Sequence, residues 1–219
     1  MRPLIQVALD FTSLSRALKT AEKVCEYVDV LEAGTPLIKS EGMRAVRILK
    51  DKFPKKLITA DTKTADAGKV EAELAFKNGA DILTVLWIQK ATVIEVQNIA
   101  KRLHKKIVVD ILQDKIQTPQ ELVSLSPSYI GVHLGLDSQK GKYTIVEKLK
   151  TFTNIFKSSS IKFAVAGGIT PETIDSFAFF NIGIIIVGGY ITKSLNPEKR
   201  AKEIKEAVME VKWKSILKG

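Results

Sequence analysis

Eight short apolar runs recur along this chain of 219 residues, and longer stretches with helical spacing separate each run from the next. Runs that are apolar on both faces and alternate with helices predict a parallel sheet covered by its crossover helices. Eight strand–helix units of roughly 27 residues each fit a (β/α)₈ TIM barrel. We therefore expect one α/β domain over residues 1–219, with a doubly wound open sheet as the alternative. The predicted strands cover residues 4–9, 28–32, 57–61, 82–86, 107–111, 129–133, 163–166 and 184–187.

Three of the intervening stretches begin with an explicit helix-start signal. Each has a capping residue followed by proline, at Thr118-Pro119, Thr170-Pro171 and Asn196-Pro197. Proline is favoured at the first helical position because its missing N–H has no partner there in any case. These signals predict helices from residues 119, 171 and 197.

The charge of the chain is strongly basic, with a formal net charge of +10. Lysine and arginine are spread over the whole sequence and are not interleaved with aromatic residues, as a nucleic-acid surface requires. We therefore expect solvated basic helix faces and no nucleic-acid partner. The net charge would also attract small phosphorylated substrates into a cleft. The longest uncharged run, residues 177–192, is too short to span a membrane. A cytoplasmic protein without a membrane partner is the expectation.

Ionisable residues collect where the predicted strands end. In a (β/α)₈ barrel these carboxyl ends form the active-site face, so side chains far apart in sequence meet at one mouth. One acid at a strand end is commonly a solvated loop residue, but this explanation is weak for the whole set. The set comprises Asp10, Glu32, Asp61, Asp110 and His133.

Strand alternation places Asp61 and Lys63 on the same side of the third strand. A lysine beside carboxylates stays protonated and can stabilise an anionic intermediate, although a structural ion pair is the simpler alternative. Glu32 and Asp61 would supply oxygen ligands for Mg²⁺ from neighbouring strands. Paired acids also occur without a metal, so this alternative stays open.

Glycine pairs close the last two strands, at Gly167-Gly168 and Gly188-Gly189. Barrels of this type commonly bind phosphate there through backbone N–H groups. Either pair alone would also serve as a turn. His133, at the end of the sixth strand, is a candidate general acid or base, with a structural histidine as the alternative.

The Asp-x-Lys-x-x-Asp pattern of Asp61, Lys63 and Asp66 resembles the signature of the orotidine monophosphate decarboxylase suprafamily. Within that suprafamily the chain is most similar to the 3-hexulose-6-phosphate synthases. The similarity covers nearly the whole chain, with several blocks in the same order. These blocks are residues 8–10, 32–39 through Gly42, 61–68, 79–81, 108–110, 132–133, 164–169 and 186–188.

The resemblance implies a Mg²⁺-dependent aldolase that joins formaldehyde to ribulose 5-phosphate, or runs in reverse, through an enediolate. It implies that Glu32 and Asp61 bind the metal, that Lys63 stabilises the enediolate and that His133 carries the proton. Asp66 is expected to reach the neighbouring subunit's site, which implies a homodimer with shared active sites. The substrate-lining positions that it implies are Asp10, Asp110, Gly167, Gly168, Gly188 and Gly189.

Other members of the suprafamily differ at a few positions. Orotidine monophosphate decarboxylases usually continue the motif with Ile-Pro-Asn-Thr, whereas this chain has Ala67-Gly68-Lys69. The 3-keto-L-gulonate-6-phosphate decarboxylases generally have a glutamate near position 110 and an arginine after the strand-eight glycine. Asp110 and Tyr190 stand there in this chain. Both differences favour the aldolase.

One loop differs from the synthase pattern, and a non-catalytic function is a further alternative. After His133 the synthases commonly show Thr-Gly-Thr-Asp, whereas this chain reads Leu134-Gly135-Leu136-Asp137, so hydroxyl contacts to substrate are lost. The net charge and the glycine pairs also fit a non-catalytic barrel that binds phosphate or nucleic acid. Retention of the acids, the lysine and the histidine favours the enzyme.

Overall fold

The computed structural model describes residues 2–112, 118–134, 144–156 and 159–213. Its strands form a closed parallel barrel in sequence order, in which β1 pairs with both β2 and β8. This closure confirms the (β/α)₈ barrel and excludes the doubly wound open sheet. The strands are β1 (Leu4–Leu9), β2 (Val30–Ala33), β3 (Leu57–Thr64), β4 (Ile82–Leu86), β5 (Lys106–Ile111), β6 (Tyr129–His133), β7 (Phe163–Ala166) and β8 (Ile182–Val187).

Helices lie between the strands, and the starts predicted at residues 119, 171 and 197 are confirmed. In the last of them Asn196 Oδ1 accepts a hydrogen bond from the Lys199 N–H over 3.1 Å. Among the described residues, no helix is long and apolar enough to cross a membrane. The helices are α1 (Leu14–Val24), α2 (Thr35–Glu41), α3 (Arg44–Lys52), α4 (Gly68–Lys77), α5 (Lys90–Arg102), α6 (Pro119–Leu125), α7 (Ile145–Ile155), α8 (Pro171–Ile174), α9 (Gly189–Thr192) and α10 (Pro197–Glu210).

Strand bounds match the prediction for β1, β4, β6 and β7 and differ for the others. The strand β2 begins at Val30 and not at residue 28. At this point the β1 backbone donates to the side chain of Asp29 and not to a backbone carbonyl of β2. The Asp29 carboxylate accepts hydrogen bonds from the Ile5 N–H over 2.8 Å and from Arg2 Nη1 over 2.7 Å. The strand β3 extends to Thr64, three residues beyond the prediction, and carries Lys63 within it.

Two apolar layers account for most of the core. Val30 and Leu31 are neighbours in sequence but belong to different layers, as strand alternation requires. Leu31 packs between sheet and helices, and Val30 packs in the barrel interior. The next inward position of β2 is Glu32, so the polar mouth begins one step above this interior cluster. The interior cluster comprises Val30, Ile82, Val108, Tyr129, Ala164 and Ile184.

At the opposite end of the barrel, Asp81 joins three elements. Its Oδ2 accepts hydrogen bonds from Lys50 Nζ over 2.8 Å and from the Ile58 N–H over 3.0 Å. Its Oδ1 accepts one from Lys105 Nζ over 2.8 Å. Burial raises the pKa of Asp81. The hydrogen bonds from Lys105 and Lys50 lower it by a larger amount, so the net shift is downward.

We expect Asp81→Asn to lower the free energy of unfolding by about 1–3 kcal/mol near neutral pH, because three donors lose a charged acceptor. A lowered folded-state pKa means that this stabilisation is present above the ordinary value of 3.8 and is lost as the pH falls through the folded value. Denaturant unfolding at pH 7 and pH 3 measures both effects. The exposed Asp51→Asn on α3 is the control, and equal stability of both variants at pH 7 would contradict the prediction.

Candidate active site

Lys63 is the centre of an ion-pair network at the end of β3. Its Nζ lies 3.0 Å from Asp61 Oδ2 and 3.5 Å from Asp110 Oδ2. Thr35 Oγ1 donates a further hydrogen bond to Asp61 Oδ2 over 2.7 Å. Burial lowers the pKa of Lys63, but the charges of Asp61 and Asp110 outweigh burial and the net shift is upward. Lys63 is therefore a cation at neutral pH.

The backbone at Lys63 differs from a regular strand. Its φ is 49°, in the left-handed region, and the β3–β4 register shifts between Ala60 and Thr64. A left-handed conformation costs a non-glycine residue roughly 1–2 kcal/mol, so surrounding contacts must hold it. Regular alternation was therefore the wrong reason for placing Lys63 beside Asp61. The left-handed turn at the strand end directs the lysine to the carboxylates.

Asp110 is held as a carboxylate at the end of β5, with 5% of its surface exposed. Burial raises its pKa, but the nearby His133 imidazole and the Lys63 ammonium lower it more, and the net shift is downward. A Cβ at Gly131 would lie 2.8 Å from Asp110 Oδ1, so glycine makes room for this oxygen. Among the described residues Oδ1 has no hydrogen-bond partner.

Glu32 forms the buried floor of the mouth. Gln6 Nε2 donates to Glu32 Oε2 over 2.6 Å, and Thr59 Oγ1 donates to Gln6 Oε1 over 3.0 Å. Burial raises the pKa of Glu32 well above its ordinary value, and the charges of Asp61 and Asp10 raise it further. Folding therefore disfavours the ionised form of Glu32, which would add a further negative charge to this acidic mouth.

Asp10 lies at the rim, directly after β1. Although its side chain opens to solvent, the protein around it raises its pKa, first by partial burial and then through the charge of Asp61. A Cβ at Gly34 would overlap Asp10 Oδ1, so this approach of β1 to the start of α2 requires glycine. Asp10 and Glu32 thus share one electrostatic environment with Asp61.

His133 ends β6 on the other side of Asp110. Its Nδ1 lies 3.8 Å from Asp110 Oδ2, and 27% of its side chain is exposed. The imidazole is therefore accessible to a ligand while it stays close to the network of Lys63. The loop in which this sequence differs from the synthase pattern continues after Leu134 into residues 135–141, which lie outside the described part of the chain.

The first glycine pair follows β7 in the left-handed region, with φ values of 103° at Gly167 and 65° at Gly168. A Cβ at Gly167 would also overlap the carbonyl oxygen of Leu134. Glycine is therefore required by both backbone conformation and space. Among the described residues other than its two chain neighbours, no atom lies within 4 Å of the corresponding position at Gly168, so these residues leave the backbone there open to a ligand.

The second glycine pair follows β8, the neighbour of β7 in the barrel. A Cβ at Gly188 would lie 3.7 Å from Asp10 Oδ2, which places this pair beside the acidic rim. The side chain of Lys193 lies along Gly189, at 3.4 Å from the position of a Cβ. The two pairs therefore lie at the ends of neighbouring strands on one side of the mouth, and of the four glycines Gly168 is the one with no described atom beside it apart from its chain neighbours.

Two positions singled out from the sequence lie away from the network. Asp66 is exposed, and its Oδ1 accepts a hydrogen bond from the next backbone N–H over 2.8 Å. The Tyr190 hydroxyl donates to Glu203 Oε2 over 2.6 Å and accepts from Arg200 Nη1 over 3.1 Å. Tyr190 is therefore tied to α10.

Two of the cavities lined by described residues border the barrel. The larger, of about 590 Å³, lies at the N-terminal end of β5 and β6, where Lys106, Tyr129 and Lys162 line it. It is remote from the acidic mouth because parallel strands separate the two ends. The smaller, of about 80 Å³, adjoins Asp110 and is lined by Trp87 and other apolar residues of β4 and the strand ends.

A family model described as "Orotidine 5'-phosphate decarboxylase / HUMPS family" matches residues 3–204. The chain belongs to this family. Its 3-hexulose-6-phosphate synthase member from Mycobacterium gastri is 36% identical over 207 residues, which are 93% of this chain and 99% of the relative. The family resemblance inferred from the Asp-x-Lys-x-x-Asp pattern is confirmed.

Solved structures of the family share the fold. A crystal structure of 3-hexulose-6-phosphate synthase superposes with a TM-score of 0.85 at 36% identity, covering 93% of this chain and 99% of that chain. The crystal structure of 3-keto-L-gulonate-6-phosphate decarboxylase from Vibrio cholerae gives a TM-score of 0.86 at 30% identity, covering 95% and 98%. Both branches of the family therefore use this barrel.

Sequence reasoning did not single out Gln6, Thr35 or Thr59 in this family member. Gln6 carried a usable signal, because it is the one polar residue in the apolar run Leu4–Leu9. A buried amide requires a partner, and Glu32 supplies it. Thr35 and Thr59 carried no such signal, because their partners depend on strand register.

We expect Glu32→Gln to stabilise the chelator-treated protein at pH 8. Folding raises the pKa of Glu32, so ionising it costs stability as the pH rises above the ordinary value of 4.5, whereas an amide avoids this cost. The melting temperature should rise by about 2–4 °C for each 1 kcal/mol by which the free energy of unfolding increases. At pH 4 the difference should vanish. The exposed Glu210→Gln is the control, and a lower melting temperature for Glu32→Gln at pH 8 would contradict the prediction.

Proposed function

We propose that this chain is an aldolase that joins formaldehyde to ribulose 5-phosphate to give 3-hexulose 6-phosphate, and that also catalyses the reverse reaction. Relatives named 3-hexulose-6-phosphate synthase, at 35–36% identity over nearly the whole chain, support the activity. The observation that carries the proposal is the Lys63 ammonium between Asp61 and Asp110 at the barrel mouth. A fixed cation there suits an oxyanion that forms during the reaction.

The reaction begins with loss of a proton from the carbon next to the ribulose carbonyl. The resulting enediolate carries negative charge on its oxygens, and the Lys63 ammonium stabilises that charge by hydrogen bonding. The same carbon then forms a bond to the carbonyl carbon of formaldehyde, whose oxygen takes up a proton. In the reverse direction this carbon–carbon bond breaks and formaldehyde leaves.

His133 is the proposed proton carrier. Its side chain is accessible, and its Nδ1 lies 3.8 Å from the carboxylate of Asp110, which is close enough to orient the ring for proton transfer. Asp110 in turn stays ionised beside Lys63 and His133. The proton and the developing negative charge are thus handled by neighbouring side chains.

We further propose that Glu32 and Asp61 hold a Mg²⁺ ion. The fit rests on charge: the charge of Asp61 makes ionisation of Glu32 and of Asp10 more costly, and a divalent cation would relieve this cost. Among the described residues no group of three or more His, Cys, Asp or Glu is arranged to hold a metal. Mg²⁺ commonly needs only one or two protein carboxylates. When bound, it would help to neutralise the enediolate oxygens.

The substrate phosphate is proposed to bind at Gly167-Gly168 and Gly188-Gly189. The pairs follow the neighbouring strands β7 and β8, and apart from its chain neighbours no described atom lies within 4 Å of the Cβ position at Gly168. Missing side chains allow a phosphate oxygen to reach backbone N–H groups. Binding the phosphate at this side of the mouth would hold the reacting end of the sugar near Lys63.

The activity is tested by formaldehyde consumption with ribulose 5-phosphate and Mg²⁺, with and without chelator, and by identification of the sugar product. Chelator-sensitive formation of a hexulose phosphate is the expected result. Carbon dioxide release from 3-keto-L-gulonate 6-phosphate or orotidine monophosphate, without aldol product, would instead assign a decarboxylase. Binding of duplex DNA without any turnover would point to the non-enzymatic alternative.

Lys63→Ala should lower the turnover number by about 10²–10³-fold or more, because it removes the donor aimed at the oxyanion. The exposed Lys77→Ala at the far end of α4 carries the same loss of charge and should keep its activity. Circular dichroism establishes that both variants are folded. Unchanged turnover in folded Lys63→Ala would remove this lysine from the mechanism.

We propose a homodimer in which Asp66 contributes to the partner's site. Asp66 is exposed, and the hydrogen bond of its Oδ1 goes to the next backbone N–H and not to Lys63. On the adjoining helix α4, Val70 and Leu74 are 65% and 47% exposed, and four-residue spacing places them on one face. An exposed apolar face beside a motif acid suits contact with a second copy.

Mixing Asp66→Ala with Lys63→Ala chains should restore activity if sites are shared. Random exchange makes half of the dimers hybrid, and one of the two sites in each hybrid is intact, so about one quarter of native activity is expected. The control mixes Lys63→Ala chains with chains that carry both substitutions, which yields no intact site. Absence of recovery after exchange, shown by capture of differently tagged subunits, would disprove shared sites.

A further inference from the structure

Lys148 is a lysine whose side chain is almost fully buried. It lies on α7, and only 2% of its surface is exposed. An ammonium group is costly to bury unless its protons are hydrogen-bonded, so a buried lysine outside the acidic mouth requires an explanation. The role assigned to the mouth residues does not supply one.

The bonds of Lys148 go to backbone carbonyls at two strand ends. Its Nζ donates to the carbonyl oxygen of His133 over 2.9 Å and to that of Leu112 over 3.1 Å. The ammonium also lies 5.8 Å from the ring centroid of Phe152, one turn further along α7. Among the described residues, two backbone carbonyls and an aromatic face therefore contact the buried charge.

These carbonyls lie just beyond the last paired residues of β5 and β6. The ladder between the two strands ends at Ile111 and Val132, and His133 and Leu112 are the residues that follow them. Lys148 therefore connects the strands one step past their final pair. Without this connection, strand pairing would not hold the His133 backbone to β5.

We propose that Lys148 is a positioning residue for His133. Its described hydrogen bonds go to backbone carbonyls and not to the imidazole, and they hold the His133 backbone against the strand that carries Asp110. The separation of 3.8 Å between His133 Nδ1 and Asp110 Oδ2 depends on that spacing. This inference rests on the proposed function only for the role of His133 as proton carrier.

A kinetic comparison tests the proposal. Lys148→Met keeps most of the side-chain volume and removes the donors, and we expect kcat to fall at least about tenfold, since small displacements of catalytic groups have such effects. KM for ribulose 5-phosphate should change much less. Lys56→Met is the matched control, because Lys56 Nζ also donates to a backbone carbonyl, that of Val28, over 2.9 Å at the opposite end of the barrel.

A double substitution separates positioning from other effects. If Lys148 acts through His133, adding Lys148→Met to His133→Ala should change the residual kcat by less than about twofold. The proposal would be overturned if Lys148→Met lowered kcat by the same factor in the His133→Ala chain as in the unsubstituted chain. Unchanged kcat in folded Lys148→Met would overturn it equally.

A second measurement does not depend on activity. The chain has two histidines, so its imidazole ¹⁵N NMR signals divide between His133 and His104. At one fixed pH, Lys148→Met should shift the His133 signals and leave those of His104, exposed after α5, unchanged. Unaltered His133 signals would overturn the proposal even if the native chain showed no aldolase turnover.

Poor folding of Lys148→Met would not end the test. Lys148→Gln retains an amide that can donate to one carbonyl, and the same kinetic and NMR comparisons apply to it. An intermediate loss of kcat supports positioning, whereas native kcat and native His133 signals overturn it. Lack of turnover in the unsubstituted chain refutes the proposed aldolase and leaves the NMR result to decide the role of Lys148.

Discussion

Closure of the barrel between β1 and β8 is the constraint on which the rest of the structure depends. In a closed parallel sheet every carboxyl end lies on one rim, so residues from positions 10 to 189 reach a common mouth. An open sheet of the same strands would place Asp10 and Gly188 on opposite edges. The interior cluster beneath Glu32 then excludes water from the base of this mouth.

Acidic side chains outnumber basic ones among the described residues of the mouth. The carboxylates of Asp10, Glu32, Asp61 and Asp110 converge there, and among the described lysines only Lys63 contacts any of them. The consequences differ with position: Asp110 stays ionised beside Lys63 and His133, whereas Glu32 and Asp10 resist ionisation. Such a site favours a cationic ligand and a substrate whose reaction develops negative charge beside the lysine.

The carboxylates at the two ends of the barrel have different hydrogen-bond partners. At the N-terminal end Asp81 is neutralised by two lysines and a backbone N–H, which lowers its pKa and adds stability. At the mouth Glu32 has a neutral amide partner, and its charge remains costly. Separation of stability from reactivity along the strands is the expected arrangement in barrels of this kind.

The sequence by itself determined the eight strands, the helix starts at proline, the glycine pairs and the identity of the charged residues at the strand ends. It could do so because these features depend on local periodicity and local backbone preference. The tertiary structure alone decided the left-handed turn at Lys63, the bond from Gln6 to Glu32 and the reach of Lys148 to two strand ends. Each joins elements through strand register or helix docking, and no local pattern encodes the distance between residues such as Gln6 and Thr59, 53 positions apart.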